Sequence, residues 1–149
     1  MLKTLSATAL GLVLFAAPSF AAHDQADAKK AVETFAENYA KAFNAKDVTA
    51  IVAVFAPDGV EAGPGPILTN RDDIEKRFKA IFAMGGSDRH FDIKQAQAEG
   101  NIVFAVGTFT VKLNGNTIVG NITNVYEWDG DALKYRVHGY NFTPPPAQR

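Results

Sequence analysis

Three compact turn signals, Glu99-Gly100-Asn101, Asn114-Gly115-Asn116 and Asp129-Gly130-Asp131, divide the C-terminal half of the chain into four runs rich in Val, Ile, Thr, Phe and Tyr. A Gly flanked by Asn or Asp accepts the positive φ that a tight hairpin needs, so runs this close together pair as neighbours in an antiparallel meander. The spacing predicts strands over 89–98, 102–113, 117–128 and 132–142. Pro144-Pro145-Pro146 cannot donate to a ladder, and residues 144–149 are expected to form a disordered Pro-rich tail. A sheet this long has one apolar face that other elements must cover.

The cover lies upstream. Ala28, Val32, Phe35, Tyr39, Ala42 and Phe43 recur at steps of four and three, which places them on one stripe of a helix ending near Asn44. Asp47 reads as the cap of a short second helix carrying Ile51, Val52 and Phe55 and stopped by Pro57. Residues 59–63 form a short strand leading into the bend Gly63-Pro64-Gly65-Pro66. Asn70 caps a third helix with Ile74, Phe78, Ile81 and Phe82 on its apolar stripe, ended by Gly85-Gly86. Three helices followed by a curved antiparallel sheet make an α+β fold, a cone with a mouth, occupying 22–143 as one domain. With 47% apolar residues and eleven Phe, the chain can fill such a core.

The beginning of the chain sets the compartment. Lys3, the apolar stretch from Leu5 to Ala17, and small residues before a cut after Ala21 form the pattern of a secretory signal peptide over 1–21. The run is too short for a membrane anchor, so the mature protein is expected to be secreted, into the periplasm in a Gram-negative source, with no membrane association after cleavage. Fifteen basic against sixteen acidic residues leave no surplus charge for a phosphate backbone, which argues against nucleic acid as a partner. The chain has no Cys, and its three His are not in HxH or HExxH spacing. Neither a metal nor a cofactor is expected, and no nucleotide-binding or Ser-elbow motif is present.

Candidate chemistry comes from polar groups on apolar faces. Asn124 shares a face with Ile118, Gly120, Ile122, Tyr126 and Trp128, where an unpartnered amide costs about 1 to 3 kcal/mol. It is either a structural hydrogen-bonding group or a pocket residue. Tyr39 sits on the buried stripe of the first helix, where its hydroxyl needs a partner; a core tyrosine and a site tyrosine both fit. In the last strand Lys134, Arg136, His138 and Tyr140 share one face, and alternation does not say whether it faces in or out. If inward, His138 titrates in a cavity and Arg136 offers an anion a fixed charge. Glu61, on one side of its strand with Gly59 and Gly63, is the better candidate base than Asp58, or else a solvated strand-end charge.

The segments "FAENYAKAFNAKDVTAIVAVFAPDGVEAGP" from Phe35 to Pro64, "LTNRDDIEKRF" from Leu68 to Phe78, "ITNVYEWDG" and "YRVHGYNF" resemble the NTF2-like superfamily, in its SnoaL-like and ketosteroid isomerase-like branch. The resemblance implies a cone-shaped barrel with an apolar cavity and a homodimer formed through the outer sheet face. It places Tyr39 at the position of the isomerases' oxyanion-binding tyrosine and Asn124 at that of their protonated aspartic acid. Gly63 stands where the isomerases carry the basic aspartate, which leaves Glu61 or His138 as the substitute. Two functions are therefore weighed. One is an exported module binding a small, partly hydrophobic molecule, lined by Phe35, Tyr126, Trp128, Arg136 and Tyr140 with Tyr39, Asn124 and His138. The other is an isomerase-like enzyme moving a proton α to a carbonyl, with Tyr39, Asn124, Glu61 and His138 as catalytic residues.

Overall fold

The computed structural model describes residues 25–143; the signal-like segment 1–21 and the Pro-rich tail 144–149 lie outside the described residues. Helix α1 (Gln25–Asn44) buries Ala28, Val32, Tyr39 and Phe43 of the stripe that the four-three spacing predicts, together with Ala36, while Phe35 and Ala42 are partly buried, and it packs mainly on strand β2 (Ser87–Glu99). Helix α2 (Val48–Ala53) starts where the Asp47 side chain accepts from Ala50 N at 2.9 Å. Helix α3 (Arg71–Ala83) is capped in the same way by Asn70, whose Oδ1 accepts from Asp73 N.

Strands β3 (Ile102–Leu113), β4 (Asn116–Asp129) and β5 (Ala132–Phe142) follow β2 as the turn signals predict, with Gly100, Gly115 and Gly130 all at positive φ. The five-stranded sheet has the order β1-β5-β4-β3-β2, and its two edges do not meet, so the cone is open. Strand β1 (Phe55–Ala62) begins earlier than the sequence pattern indicates: Phe55 is a strand residue buried in the core, and Pro57 lies inside the strand. A proline fits there because β1 is an edge, with its register interrupted between Phe55 and Val60. β1 runs parallel to β5, and the register sets Glu61 opposite His138.

A second irregularity decides which way β5 faces. Val125 pairs with Val137 but Tyr126 pairs with Tyr135, so Arg136 is the extra residue of a bulge. Leu133 and Tyr135 face the core before the bulge, and His138 faces it afterwards. Strict alternation over 133–140 is thereby broken, and Arg136 and His138 are separated onto opposite sides of the sheet. Arg136 instead binds Asp58 at 2.7 Å and Glu127 at 3.4 Å on the outside.

Candidate functional site

The middle of the cone is filled by rings. Phe35 meets Tyr126 and Tyr135 edge-on at 5.1 and 4.7 Å, Tyr126 stacks on Tyr135 at 5.0 Å, and Tyr39 packs against Tyr135 and His138 at 5.8 and 5.7 Å. Because the bulge turns Tyr135 inward beside Tyr126, two large side chains occupy the space expected to be hollow. Of the expected lining, Phe35 and Tyr126 are packing residues of this block, and Trp128 lies beyond it, on a surface depression with Asn101 and Lys134.

The hollow lies at the other end. A cavity of about 390 Å³ is bounded by Pro64, Pro66, Arg77, Ile81, Met84, Arg89, Val111, Leu113, Tyr140 and Phe142. Tyr140 is the one member of the expected ligand set on its wall.

Three polar residues form a row across neighbouring strands, since Glu61 on β1 is opposite His138 on β5, which is opposite Asn124 on β4. All three are buried. Asn124 Oδ1 accepts from Gly139 N at 3.2 Å, which can only donate, so the amide orientation is determined and Nδ2 donates to Tyr126 Oη at 2.9 Å. The same oxygen meets His138 Nδ1 at 3.3 Å, so Nδ1 carries the imidazole proton. Asn124 is thus spent on holding the sheet and the His138 tautomer, and no hydrogen bond joins it to Tyr39. Burial holds the His138 pKa well below its ordinary value, and the positive charge of Arg89 acts in the same direction. His138 is a neutral ring at physiological pH.

Glu61 is fully buried and faces the interior. Its Oε1 accepts from Tyr140 Oη at 2.9 Å and from Arg77 Nη1 at 3.4 Å, while Oε2 has no partner. Burial raises its pKa; the Tyr140 hydrogen bond and the charges of Arg77 and Arg89 pull it down, and burial prevails. Burial and the adjoining Glu61 push Tyr140 up to about 12, so this phenol keeps its proton and donates. The Tyr39 pKa is raised chiefly by burial, and its hydroxyl is buried without a partner.

A Cβ at Gly63 would lie 2.5 Å from Tyr140 Oη, so the Tyr140 ring fills the room that a side chain at 63 would need. A carboxylate at that position and this Tyr140 are mutually exclusive. Glu61 stands two residues earlier and accepts from that tyrosine.

Arg89 is the residue that the sequence pattern left unused. Asp88, at a φ of 51°, and a register shift between Ser87 and His90 turn it inward, and Asn44 clamps its main chain, donating to Arg89 O at 3.1 Å and accepting from Arg89 N at 2.7 Å. The guanidinium lies over the rings of Phe109, Phe91 and Phe43 at 4.2, 4.9 and 5.3 Å. It is only 5% exposed, and its Nε and Nη2 have no hydrogen-bond partner. The available signal was its alternation with Phe91 and Ile93. Arg77 likewise sits between Ile74 and Ile81 on the stripe of α3. Among the described residues no group of three or more His, Asp or Glu is placed to hold a metal ion.

Residues 36–136 match the family described as the SnoaL-like domain. Among solved structures, a ketosteroid isomerase-like protein from Erwinia carotovora atroseptica is 20% identical, with a TM-score of 0.67 over 78% of this chain and 96% of its own. An NTF-2 like protein of unknown function from Shewanella oneidensis is 16% identical, with a TM-score of 0.66 over 75% and 97%. A protein with a cystatin-like fold from Nostoc punctiforme is 15% identical, with a TM-score of 0.67 over 81% and 94%. No curated protein matches the chain. At these identities the structural likenesses establish the shared cone fold.

Proposed function

The chain belongs to the SnoaL-like domain family, and from that premise we propose that it is an exported protein that binds a small, partly hydrophobic molecule in the mouth of its cone. The observation that carries this reading is the cavity of about 390 Å³ between α3 and the ends of β3 and β5, within the usual size range for small-molecule sites. Its wall is largely apolar, from Ile81, Met84, Val111, Leu113 and Phe142, and its polar groups converge from Arg77, Arg89 and Tyr140, with Glu61 behind Tyr140. Unpartnered atoms on buried Glu61, Arg89 and Tyr39 support a site whose hydrogen bonds are completed by a guest.

A thermal-shift screen of small amphiphilic molecules tests the proposal. A ligand at a hundredfold its Kd adds about 2.7 kcal/mol to the folded state. Ile81→Trp, which grows a half-buried side chain of α3 into the hollow, removes the shift while the protein still unfolds cooperatively. A broad library with no hit on the wild-type chain refutes the proposal.

One observation favours a second reading, proton transfer. Glu61 is a buried acid with a raised pKa and a free oxygen, electrostatically coupled to the unpartnered Tyr39 hydroxyl. In that reading Glu61 is the base and Tyr39 stabilises the developing enolate, without Asn124, whose amide is already engaged. Turnover of a β,γ-unsaturated ketone that Glu61→Gln leaves intact eliminates this mechanism. The homodimer is proposed on the outer sheet face, where Phe104, Val106 and Val119 are exposed and Phe104 stands opposite Val125. Light scattering of Phe104→Glu against wild type tests it.

A further inference from the structure

We infer that the guest of this cavity is a small organic carboxylate, its carboxylate group bound at the Arg89 end and its apolar body lying along Ile81, Val111 and Leu113. The inference rests on the cavity-binding reading and adds the chemical class of the ligand. Its first support is Arg89 itself. A guanidinium 5% exposed, with two nitrogens unpartnered and no carboxylate within ion-pair distance among the described residues, carries a desolvation cost that ring faces offset only in part. An anion entering the cavity supplies the missing acceptors, and the fork of a guanidinium matches the two oxygens of a carboxylate.

The second support is the charge count at the inner end. Arg77 and Arg89 bring two fixed positive charges, and among the described residues Glu61 is the one acid that faces them. The net charge there is positive whether Glu61 is ionised or protonated. Ionised, Glu61 leaves one positive charge and, protonated, it leaves two, so a carboxylate is drawn to this end in either state. His138 is neutral, and Tyr39 and Tyr140 keep their protons, so no other group near Arg89 competes for the role of counter-charge. Third, Arg89 is held in place by the Asn44 clamp on its main chain, so the site is formed before any ligand arrives.

The test uses the full chain and matched pairs of probes: benzoate, phenylacetate, 3-phenylpropanoate and hexanoate, each beside its amide of the same shape. Calorimetry or thermal shift reads the affinity of each member. At least one carboxylate is expected to bind about tenfold or more tighter than its amide. Arg89→Met, which fills the space without the charge, abolishes that preference and leaves amide binding in place. If Arg89→Met does not fold, Arg89→Lys, which keeps the charge but not the fork, lowers the preference. Amides binding as tightly as their carboxylates overturn the inference while the cavity reading stands. A carboxylate preference that both Arg89 variants leave unchanged overturns it too. Failure of both probe classes, on a folded chain that other small amphiphiles still stabilise, overturns the inference alone; failure of those amphiphiles as well defeats the cavity reading.

Discussion

Replacing His138 by Gln should flatten the acid limb of the stability curve. In the folded chain the imidazole is buried, tilted against Tyr135 at 4.6 Å, and repelled by Arg89, so its pKa lies well below the ordinary value of about 6.5. A depressed pKa means that the unfolded chain takes up a proton that the folded chain refuses. The stability that the neutral ring contributes is therefore present above the unfolded pKa and is lost as pH falls toward the folded one. In that window the slope approaches about 1.4 kcal/mol per pH unit, and integrated from about pH 7.5 to about pH 5 the loss is about 2 kcal/mol.

Other groups titrate in the same range, which is why the difference between the two proteins is the quantity to measure. Glu61, facing the same space from β1, acts with the opposite sign: its raised pKa contributes stability at low pH that disappears as pH rises through its folded value. That contribution is common to both proteins, as are the neighbouring Arg89, Tyr39 and Tyr140. Urea unfolding of wild type and His138→Gln at half-unit pH steps gives two curves. They should converge toward acid pH, because wild type loses about 2 kcal/mol that the variant, lower at neutral pH, does not have to lose. Parallel curves would show that His138 is charged or solvated in the folded chain, and would refute the burial argument.

Asn124→Leu removes the partner of Gly139 N–H, His138 Nδ1–H and the Tyr126 hydroxyl at once. The expected loss is about 3 to 5 kcal/mol in denaturant unfolding, against less than about 0.5 kcal/mol for the exposed Asn121→Leu on the same strand. Gly63→Ala drives a methyl group into the Tyr140 ring and costs about 1 to 3 kcal/mol; combined with Tyr140→Ala the loss is less than additive, which a double-mutant cycle detects. Arg136→Ala breaks only a surface pair with Asp58 and Glu127, so it changes stability by about 1 kcal/mol at most and leaves ligand-induced thermal shifts unaltered.

Whether a feature could be read from the chain depended on how far apart in sequence its parts lie. The three Gly-centred turns are local, and β3 and β5 run as their spacing predicts, because a positive-φ glycine between β-rich runs leaves few alternatives. The inward face of β4 was equally legible, since Ile122, Asn124 and Tyr126 alternate without interruption. On β5 the same rule failed at a single residue: the bulge at Arg136 reverses the phase, puts His138 and Tyr140 inside and sends Arg136 to the surface. Nothing local marks that bulge, which answers to the pairing of Tyr126 with Tyr135 across the turn. The parallel β1 pairing is less local still, joining Glu61 to Tyr140 across the whole sheet sequence.

The displaced cavity follows from those two registers, because they bring Tyr135 into the centre and leave space around Tyr140. Arg89 presents a different case. Its place on the face of Phe91 and Ile93 was visible, yet a basic residue at a strand start ordinarily remains in water. Only the Asn44 clamp and the Asp88 backbone, contacts between segments 45 residues apart, draw it inside. A buried cation with two nitrogens lacking hydrogen-bond partners contradicts the consistency shown by the rest of the core, and such contradictions collect where a protein meets something other than itself. Arg89 therefore marks the proposed site more sharply than the Tyr39 and Asn124 positions suggested by resemblance, one of which is already committed to holding the sheet.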